Sequence, residues 1–230
     1  MPAGPRVFVT RELPGPALGE LRRFCDVTVH PHDRAPTREE ILRGVAEADG
    51  LICLLSDRID REVIDTGKKL RVIANYAVGF DNIDLGAAAS RGIYVTNTPE
   101  VLTDATADLT LALMLAVMRH IVPSDRFFRE GKFHGWSPHL FLGSGMKDKV
   151  LGIVGLGRIG TAVAKRAAAF GMRIVFYDPR PARPETLDMP GARQVTFEAL
   201  LETSDVISLH CPATAETRHL ISDREFSRMK

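Results

Sequence analysis

The sequence predicts an α/β fold in two units, and three observations carry that prediction. Short β-rich runs alternate with helical patterns from one end of the chain to the other. The alternation is interrupted at Asn97-Thr98-Pro99, after which a long apolar helical pattern begins. A glycine-spaced turn, Gly155-Leu156-Gly157-Arg158-Ile159-Gly160, stands where a strand gives way to a helix. Alternation of this kind argues for parallel sheets covered by helices on both faces.

Five candidate strands fall in the first hundred residues: Arg6–Thr10, Asp26–His30, Gly50–Leu54, Val72–Asn75 and Ile93–Thr96. Helical stretches lie between them, at about Pro16–Phe24, Arg38–Ala46, Arg61–Thr66 and Leu85–Arg91. The second opens on Thr37-Arg38-Glu39-Glu40, an S/T-x-x-E capping box, and Asp84 reads as the N-cap of the fourth. Pro99 cannot donate to a strand ladder, so the pattern stops there. The helix that follows, about Asp104 to Arg119 with an interruption near Pro123, is apolar enough to be expected between two layers.

A Gly/Pro-rich stretch, Gly131 to Gly145, holds the single tryptophan, Trp136. A second alternation then begins: strand Val150–Gly155, helix Arg158–Phe170, strand Arg173–Tyr177, a short strand near Arg193–Val195, helix Phe197–Leu201 and strand Val206–His210. A last helix starts at Ser222-Asp223-Arg224-Glu225, another capping box, and runs toward Lys230 with no glycine, asparagine or proline to stop it. A dinucleotide-binding sheet of the doubly wound type has six strands in the order 3-2-1-4-5-6. Only four are counted here, so the second unit reads as an incomplete Rossmann domain and the chain as truncated at its C-terminal side.

At 230 residues the chain suits two domains, placed at 1–98 and 99–230. Its 30 basic and 29 acidic residues leave a net charge of +1, with no block of like charge to engage nucleic acid or an anionic membrane. The cysteines, Cys25, Cys53 and Cys211, are sparse, odd in number and form no C-x-x-C pair, which suits a reducing compartment. Met1-Pro2-Ala3-Gly4-Pro5-Arg6 leads straight into Val7-Phe8-Val9 without the apolar core of a signal peptide, and Leu109 to Met118 is too short to span a bilayer. The expected location is cytoplasmic.

The glycine turn fits G-x-G-x-x-G, a weak pattern alone because ordinary turns share its spacing. Here an apolar strand, Val150 to Val154, precedes it and an alanine-rich helix, Ala162 to Ala169, follows, presenting its N-terminal N–H groups to a pyrophosphate. Gly155 makes the turn, Gly157 lets the backbone approach the phosphates, and Gly160 lets the helix pack on the strand. The next strand ends in Asp178, 18 residues after Gly160, where a carboxylate can accept from the adenosine ribose hydroxyls. It would repel a 2′-phosphate, which favours NAD over NADP, although Arg180 and Arg183 are groups that could swing to such a phosphate. A loop with an accidental acid and a methyltransferase-type site are the alternatives. The third glycine suits a dinucleotide better than either.

Other residues invite chemistry less strongly. His210-Cys211 suggests a dyad, but neighbours on a strand point to opposite faces; at a strand's carboxyl end they are better placed to line a cofactor crevice. His30-Pro31-His32 lacks a third ligand, so a solvated strand end is expected, and His120, His134, His139 and His219 form no zinc spacing; no metal is expected. Gly79 offers an open turn whose N–H groups could hold a carboxylate, although spacing alone favours a plain βα turn.

Together the motifs carry a family resemblance. Asn75-Tyr76-Ala77-Val78-Gly79-Phe80-Asp81-Asn82-Ile83-Asp84, Val95-Thr96-Asn97-Thr98-Pro99, the run Leu151 to Gly160, and His210-Cys211-Pro212-Ala213-Thr214 with Thr217 resemble the D-isomer-specific 2-hydroxyacid dehydrogenases. Glu100 to Trp136 looks most like the glyoxylate/hydroxypyruvate reductase branch. The resemblance implies a flavodoxin-like substrate-binding domain, discontinuous in sequence, with the NAD-binding Rossmann domain inserted and the active site in the cleft. It implies a substrate carboxylate held at Val78-Gly79 with Leu55-Ser56 close by. Leu156, Arg158, Ile159, Asp178 and Pro179 would hold the adenosine and pyrophosphate, and Val78, His210, Cys211, Pro212 and Thr217 would lie along the cofactor.

Family chemistry uses an arginine that binds the 2-oxo acid, a histidine that protonates its carbonyl oxygen, and a glutamate that raises the histidine's pKa. All three are expected beyond Lys230, and His210 matches a different motif. The implied activity is NAD-dependent transfer of a hydride between nicotinamide and a small 2-oxo or 2-hydroxy acid, with residues 1–230 inactive by themselves. The alternative is a non-catalytic NAD(H)-binding module like the corepressor relatives of this fold. A homodimer through the helix after Asp104 and the Trp136 arm is also implied.

Overall fold

The computed structural model describes residues 4–180 and 191–230; the reading of Met1-Pro2-Ala3 and of Arg183 falls outside them. The chain divides into two compact units, Met1–Glu100 and Val101–Lys230.

In the first unit the β-rich runs form β1 (Arg6–Val9), β2 (Asp26–Val29), β3 (Gly50–Cys53), β4 (Val72–Asn75) and β5 (Tyr94–Thr96). All pair in parallel, in the order β2-β1-β3-β4-β5. This is the flavodoxin-like order, with its switch point between β1 and β3. Reciprocal bonds set the register at the amino end. Arg6 N–H donates to Asp49 Oδ2 at 2.8 Å, and Asp49 N–H donates to the Arg6 carbonyl at 2.8 Å.

The connections are α1 (Ala17–Leu21), α2 (Arg38–Val45), α3 (Arg61–Thr66) and α4 (Leu85–Ser90). Phe8, Leu51 and Ile73 face α2, α3 and α4, meeting Ile41, Val45, Val63, Ile64 and Ala87. Gly44 lets α2 settle on the Phe8 ring, which a Cβ there would approach to 2.3 Å. Val9 turns to the other face, where α1 supplies Leu18. Helices therefore lie on both faces, but unequally: Val72 and Tyr94 stay exposed.

The second unit opens with α5 (Thr103–Met118) and α6 (Ile121–Arg129), then β6 (Val150–Val154), α7 (Arg158–Ala169), β7 (Arg173–Tyr177) and β8 (Arg193–Gln194). Helix Phe197–Thr203, β9 (Val206–Leu209) and helix Asp223–Phe226 complete it. The parallel order β8-β7-β6-β9 matches the first four positions of a 3-2-1-4-5-6 sheet, counted from β6. Leu151 and Ile153 pack toward α5 and α7, while Val150 and Val154 meet Leu200 on the opposite face. Both faces of β6 are filled, which explains its unbroken apolar run.

Several expectations need correction. Only Ala107, Leu111 and Met114 of α5 are buried, against α7, whereas Leu109, Leu113 and Val117 are 58–75% exposed. An apolar composition does not reveal how many layers a helix will meet. The break comes at His120, in the left-handed region at φ 53°, rather than at Pro123, which sits in the first turn of α6 where its missing N–H does no harm. His30 is buried rather than solvated, with Nδ1 3.1 Å from the His32 carbonyl and Nε2 3.2 Å from Glu40 Oε2. The last helix is a single turn; Glu225 accepts from the Ser222 N–H and hydroxyl, and the helix ends at Phe226. No single helix among the described residues is long and apolar enough to cross a membrane.

Candidate dinucleotide and carboxylate sites

At the carboxyl end of β6 the chain turns through Gly155, whose φ of +91° favours glycine. Space forbids a side chain there as well, since a Cβ would lie 2.7 Å from Cys211 N and 2.8 Å from His210 C. Gly160 packs against the turn itself, where a Cβ would stand 2.3 Å from the Gly155 carbonyl oxygen. Gly157 differs: nothing lies within 4 Å of its missing Cβ, so its face opens on empty space. It is the N-cap of α7, with extended backbone, no capping side chain and no acid in the first turn. The Ile159 and Gly160 N–H groups have no helical acceptor. A bare helix N-terminus beside an open glycine fits a pyrophosphate by hydrogen bonding and by the helix dipole.

Asp178 follows β7 and closes on the same turn: Leu156 N–H donates to its Oδ2 at 3.0 Å. Arg180 N–H donates to Oδ1 at 3.0 Å, and the Arg180 guanidinium folds back onto both oxygens, at 3.2 and 3.4 Å. Burial pushes this carboxyl up, but the Arg180 side chain and the two N–H donors outweigh it and hold the group below its ordinary value. Pro179, between them, makes no polar contact of its own among the described residues.

After β9, His210 N–H donates to the Val154 carbonyl at 2.7 Å, which brings this segment beside Gly155. The His210 ring meets Ser208 Oγ at 2.8 Å in a groove shared with α5, and burial lowers its pKa below the ordinary imidazole value. Cys211 packs instead with the cluster around Val150 and Leu200. The two side chains diverge and form no dyad. Thr217 Oγ1 donates to the Pro212 carbonyl at 2.7 Å and accepts from Thr214 N–H at 2.8 Å, which ties the Pro212–Thr217 turn.

The first unit's carboxyl end is built from buried and half-buried polar side chains. Asp57 accepts from Thr10 Oγ1 at 2.5 Å and from Leu54 N–H at 2.8 Å, with Arg11 3.7 Å away. Arg11 also donates to Ser56 Oγ at 3.0 Å. Asn75 and Asn82 pair through their amides, at 3.0 and 3.2 Å. Asn82 donates on to the Leu54 and Asp57 carbonyls, and Asn75 to the Gly79 carbonyl. The turn bearing Leu55-Ser56 is thus clamped to the turn bearing Val78-Gly79, and Asn97 Nδ2 holds the Val78 carbonyl at 2.8 Å. Neither the Val78 nor the Gly79 N–H donates to another group among the described residues, so both face outward as open donors.

The sequence reading missed Thr10, Arg11, Asp57 and the pairing of Asn75 with Asn82. One signal was present: Asn75 closes an otherwise apolar strand, and a polar residue there needs a partner. Among the described residues no group of three or more histidines, cysteines and acids is placed to hold a metal.

A parallel doubly wound sheet, a glycine turn with open space at its second glycine and an acid at the end of the next strand define a dinucleotide-binding protein of the NAD type. Residues 111–230 match the family model for the D-isomer specific 2-hydroxyacid dehydrogenase NAD binding domain. The chain is 50% identical to the glyoxylate reductase of Thermococcus litoralis, over 98% of this chain and 69% of that protein. A crystal structure of a Thermus thermophilus protein superposes with a TM-score of 0.90 at 50% identity, covering 98% of this chain and 70% of that one. The D-lactate dehydrogenase of Aquifex aeolicus, solved with NAD and lactic acid, superposes with a TM-score of 0.84 at 28% identity, covering 98% and 66%. The chain belongs to the D-isomer specific 2-hydroxyacid dehydrogenases.

Proposed function

We propose that this chain supplies the NADH site and the carboxylate-binding turn for reduction of a small 2-oxo acid of the glyoxylate class to the corresponding 2-hydroxy acid. The observation that carries the reading is the pair of unclaimed N–H groups at Val78 and Gly79, held by Asn75 and Asn97 in a turn that also adjoins Leu55-Ser56. Two unclaimed N–H groups on adjacent residues of one turn suit a carboxylate. The high identity to glyoxylate reductases supports the same substrate class.

NADH supplies the hydride for the carbonyl carbon, and a proton must reach the carbonyl oxygen. The chain's own residues would hold the cofactor: Gly155 to Gly160 at the pyrophosphate, Asp178 and Pro179 at the adenosine, and His210, Cys211, Pro212 and Thr217 along its length. His210 is not the proton donor in this reading, because it belongs to the segment set along the cofactor and its ring is engaged with Ser208. The arginine, glutamate and histidine of family chemistry have no counterpart assigned in residues 1–230. Those residues are therefore expected to bind NADH while turning over at background. Calorimetry with NADH and an assay of NADH oxidation with glyoxylate test the two halves. NADH binding with background turnover supports the reading, and robust turnover would place the proton donor within these residues.

The same reading includes a homodimer. Trp136 is 85% exposed on an open apolar depression that Phe128, Phe133 and Leu140 also line, so it covers no core of its own. Sedimentation should show a dimer that Trp136→Ala weakens; a monomer at micromolar concentration counts against it.

A further inference from the structure

Asp178 is more fully engaged than a ribose-binding acid needs to be. A carboxylate offers two oxygens and about four lone-pair sites. Leu156 N–H takes one on Oδ2 and Arg180 N–H one on Oδ1. The Arg180 guanidinium then covers both oxygens again, with Nε 3.2 Å from Oδ1 and an Nη 3.4 Å from Oδ2. The lone pairs that adenosine 2′- and 3′-hydroxyls would use are those the guanidinium holds. The two partners differ in burial: the Asp178 side chain is 8% exposed and that of Arg180 61%. The acid is anchored by backbone N–H groups, and the arginine is the member free to leave.

We propose that Arg180 is the selectivity switch of the cofactor site. It competes with the adenosine ribose for Asp178, and once displaced it stays within reach of a ribose 2′-phosphate. The switch acts on the two cofactors in opposite directions. For NAD(H) it is an internal competitor that must be moved before the ribose seats. For NADP(H) it supplies, among the described residues, a cation beside Asp178 that both neutralises the acid and grips the phosphate, in a bidentate form natural to guanidinium. The selectivity against NADP(H) is then smaller than the bare acid at the end of β7 would impose. The inference rests on the assignment of Gly155–Gly160 and Asp178 to the dinucleotide.

Magnitudes set what a single substitution should show. An ion pair with one exposed partner is weak, so removing its competition raises NADH affinity by at most about fivefold. A charge-assisted contact to phosphate is stronger, so its loss lowers NADPH affinity by roughly tenfold or more. Arg180→Ala should therefore tighten NADH and weaken NADPH in the same protein. Arg180→Lys should recover part of the NADPH affinity.

The test is equilibrium titration of NADH and NADPH, by calorimetry or by quenching of Trp136 fluorescence, against the unsubstituted chain, Arg180→Ala and Arg180→Lys. Thermal melts of each protein confirm folding, and 2′,5′-ADP serves as a probe of the phosphate contact alone. Opposite shifts for the two cofactors, with 2′,5′-ADP following NADPH, bear the proposal out. Parallel shifts, no shift, or an Arg180→Ala variant that loses NADH affinity overturn it while leaving the dinucleotide site standing. If the unsubstituted chain binds neither cofactor, the dinucleotide assignment itself fails and the switch with it.

Discussion

The two sheets of this molecule begin alike and end differently. At the amino end of each, the acid just before a neighbouring strand locks the first strand by exchanged bonds: Asp49 with Arg6 in one unit, Asp205 with Val150 in the other. At the carboxyl ends the devices diverge. The first unit closes its turns with the buried side chains of Thr10, Asp57 and Asn75 and the half-buried Asn82, and caps α2, α3 and α4 with Thr37, Asp60 and Asp84. The second unit uses glycines and leaves α7 uncapped. A capped helix has spent its N-terminal donors within the chain, whereas a bare one keeps them for an anion. Side-chain networks make a rigid frame for a small ligand; glycine backbone makes room for a large one.

Asp57→Ala tests the frame most severely. It strips the partners of Thr10, the Leu54 N–H and Arg11 at once, and breaking such a buried group from one side costs about 3–5 kcal/mol. Urea unfolding should show the first unit melting early while NADH affinity in the second is retained; loss of both together would mean the units depend on each other.

The glycines give the next contrast. Gly155→Ala meets left-handed strain of about 1–2 kcal/mol and backbone contacts below 3 Å that add about 1–3 kcal/mol. Gly157→Ala enters empty space, so stability should stay within about 0.5 kcal/mol while NADH affinity falls about tenfold. An undiminished affinity for Gly157→Ala would remove the pyrophosphate from that turn.

Capping provides a smaller control. Thr37→Ala opens the capping box of α2 and should cost about 1 kcal/mol in denaturant midpoint, with NADH binding unchanged.

The last prediction concerns Cys53, under the first unit's frame. Burial, then the nearby charge of Asp57, push its thiol up to about 12 from an ordinary 9.0. The folded pKa is the higher one, so its contribution to stability is complete below pH 9 and fades as pH rises toward 12. At pH 8 iodoacetamide should label the half-buried Cys25 and Cys211 but reach Cys53 only after denaturant is added. Early labelling of Cys53 would show that the frame opens.

Much of the second unit's geometry was legible. Strand, glycine turn and helix are adjacent in sequence, and the contact of Asp178 with Leu156 spans one βαβ unit whose spacing is nearly invariant for physical reasons. The first unit's network was not legible, because Thr10, Asp57, Asn75 and Asn82 come from three strand ends and a loop that meet only once the sheet has formed. Arg180 was read as a group that could reach a phosphate, but its hold on Asp178 was not foreseen.

By itself the sequence determined what local chemistry can decide: which runs alternate, where Gly155 must turn, where Thr37 and Asp84 cap, and that an acid ends β7. Those depend on dihedral preference and on groups a few residues apart. The tertiary structure alone decided that α5 buries one face, that the chain breaks at His120, that His30 lies inside, and that Arg180 occupies Asp178. Each of these turns on which surfaces meet in space and on what a side chain finds there. Periodicity records that a residue is apolar or charged, and only packing supplies its neighbour.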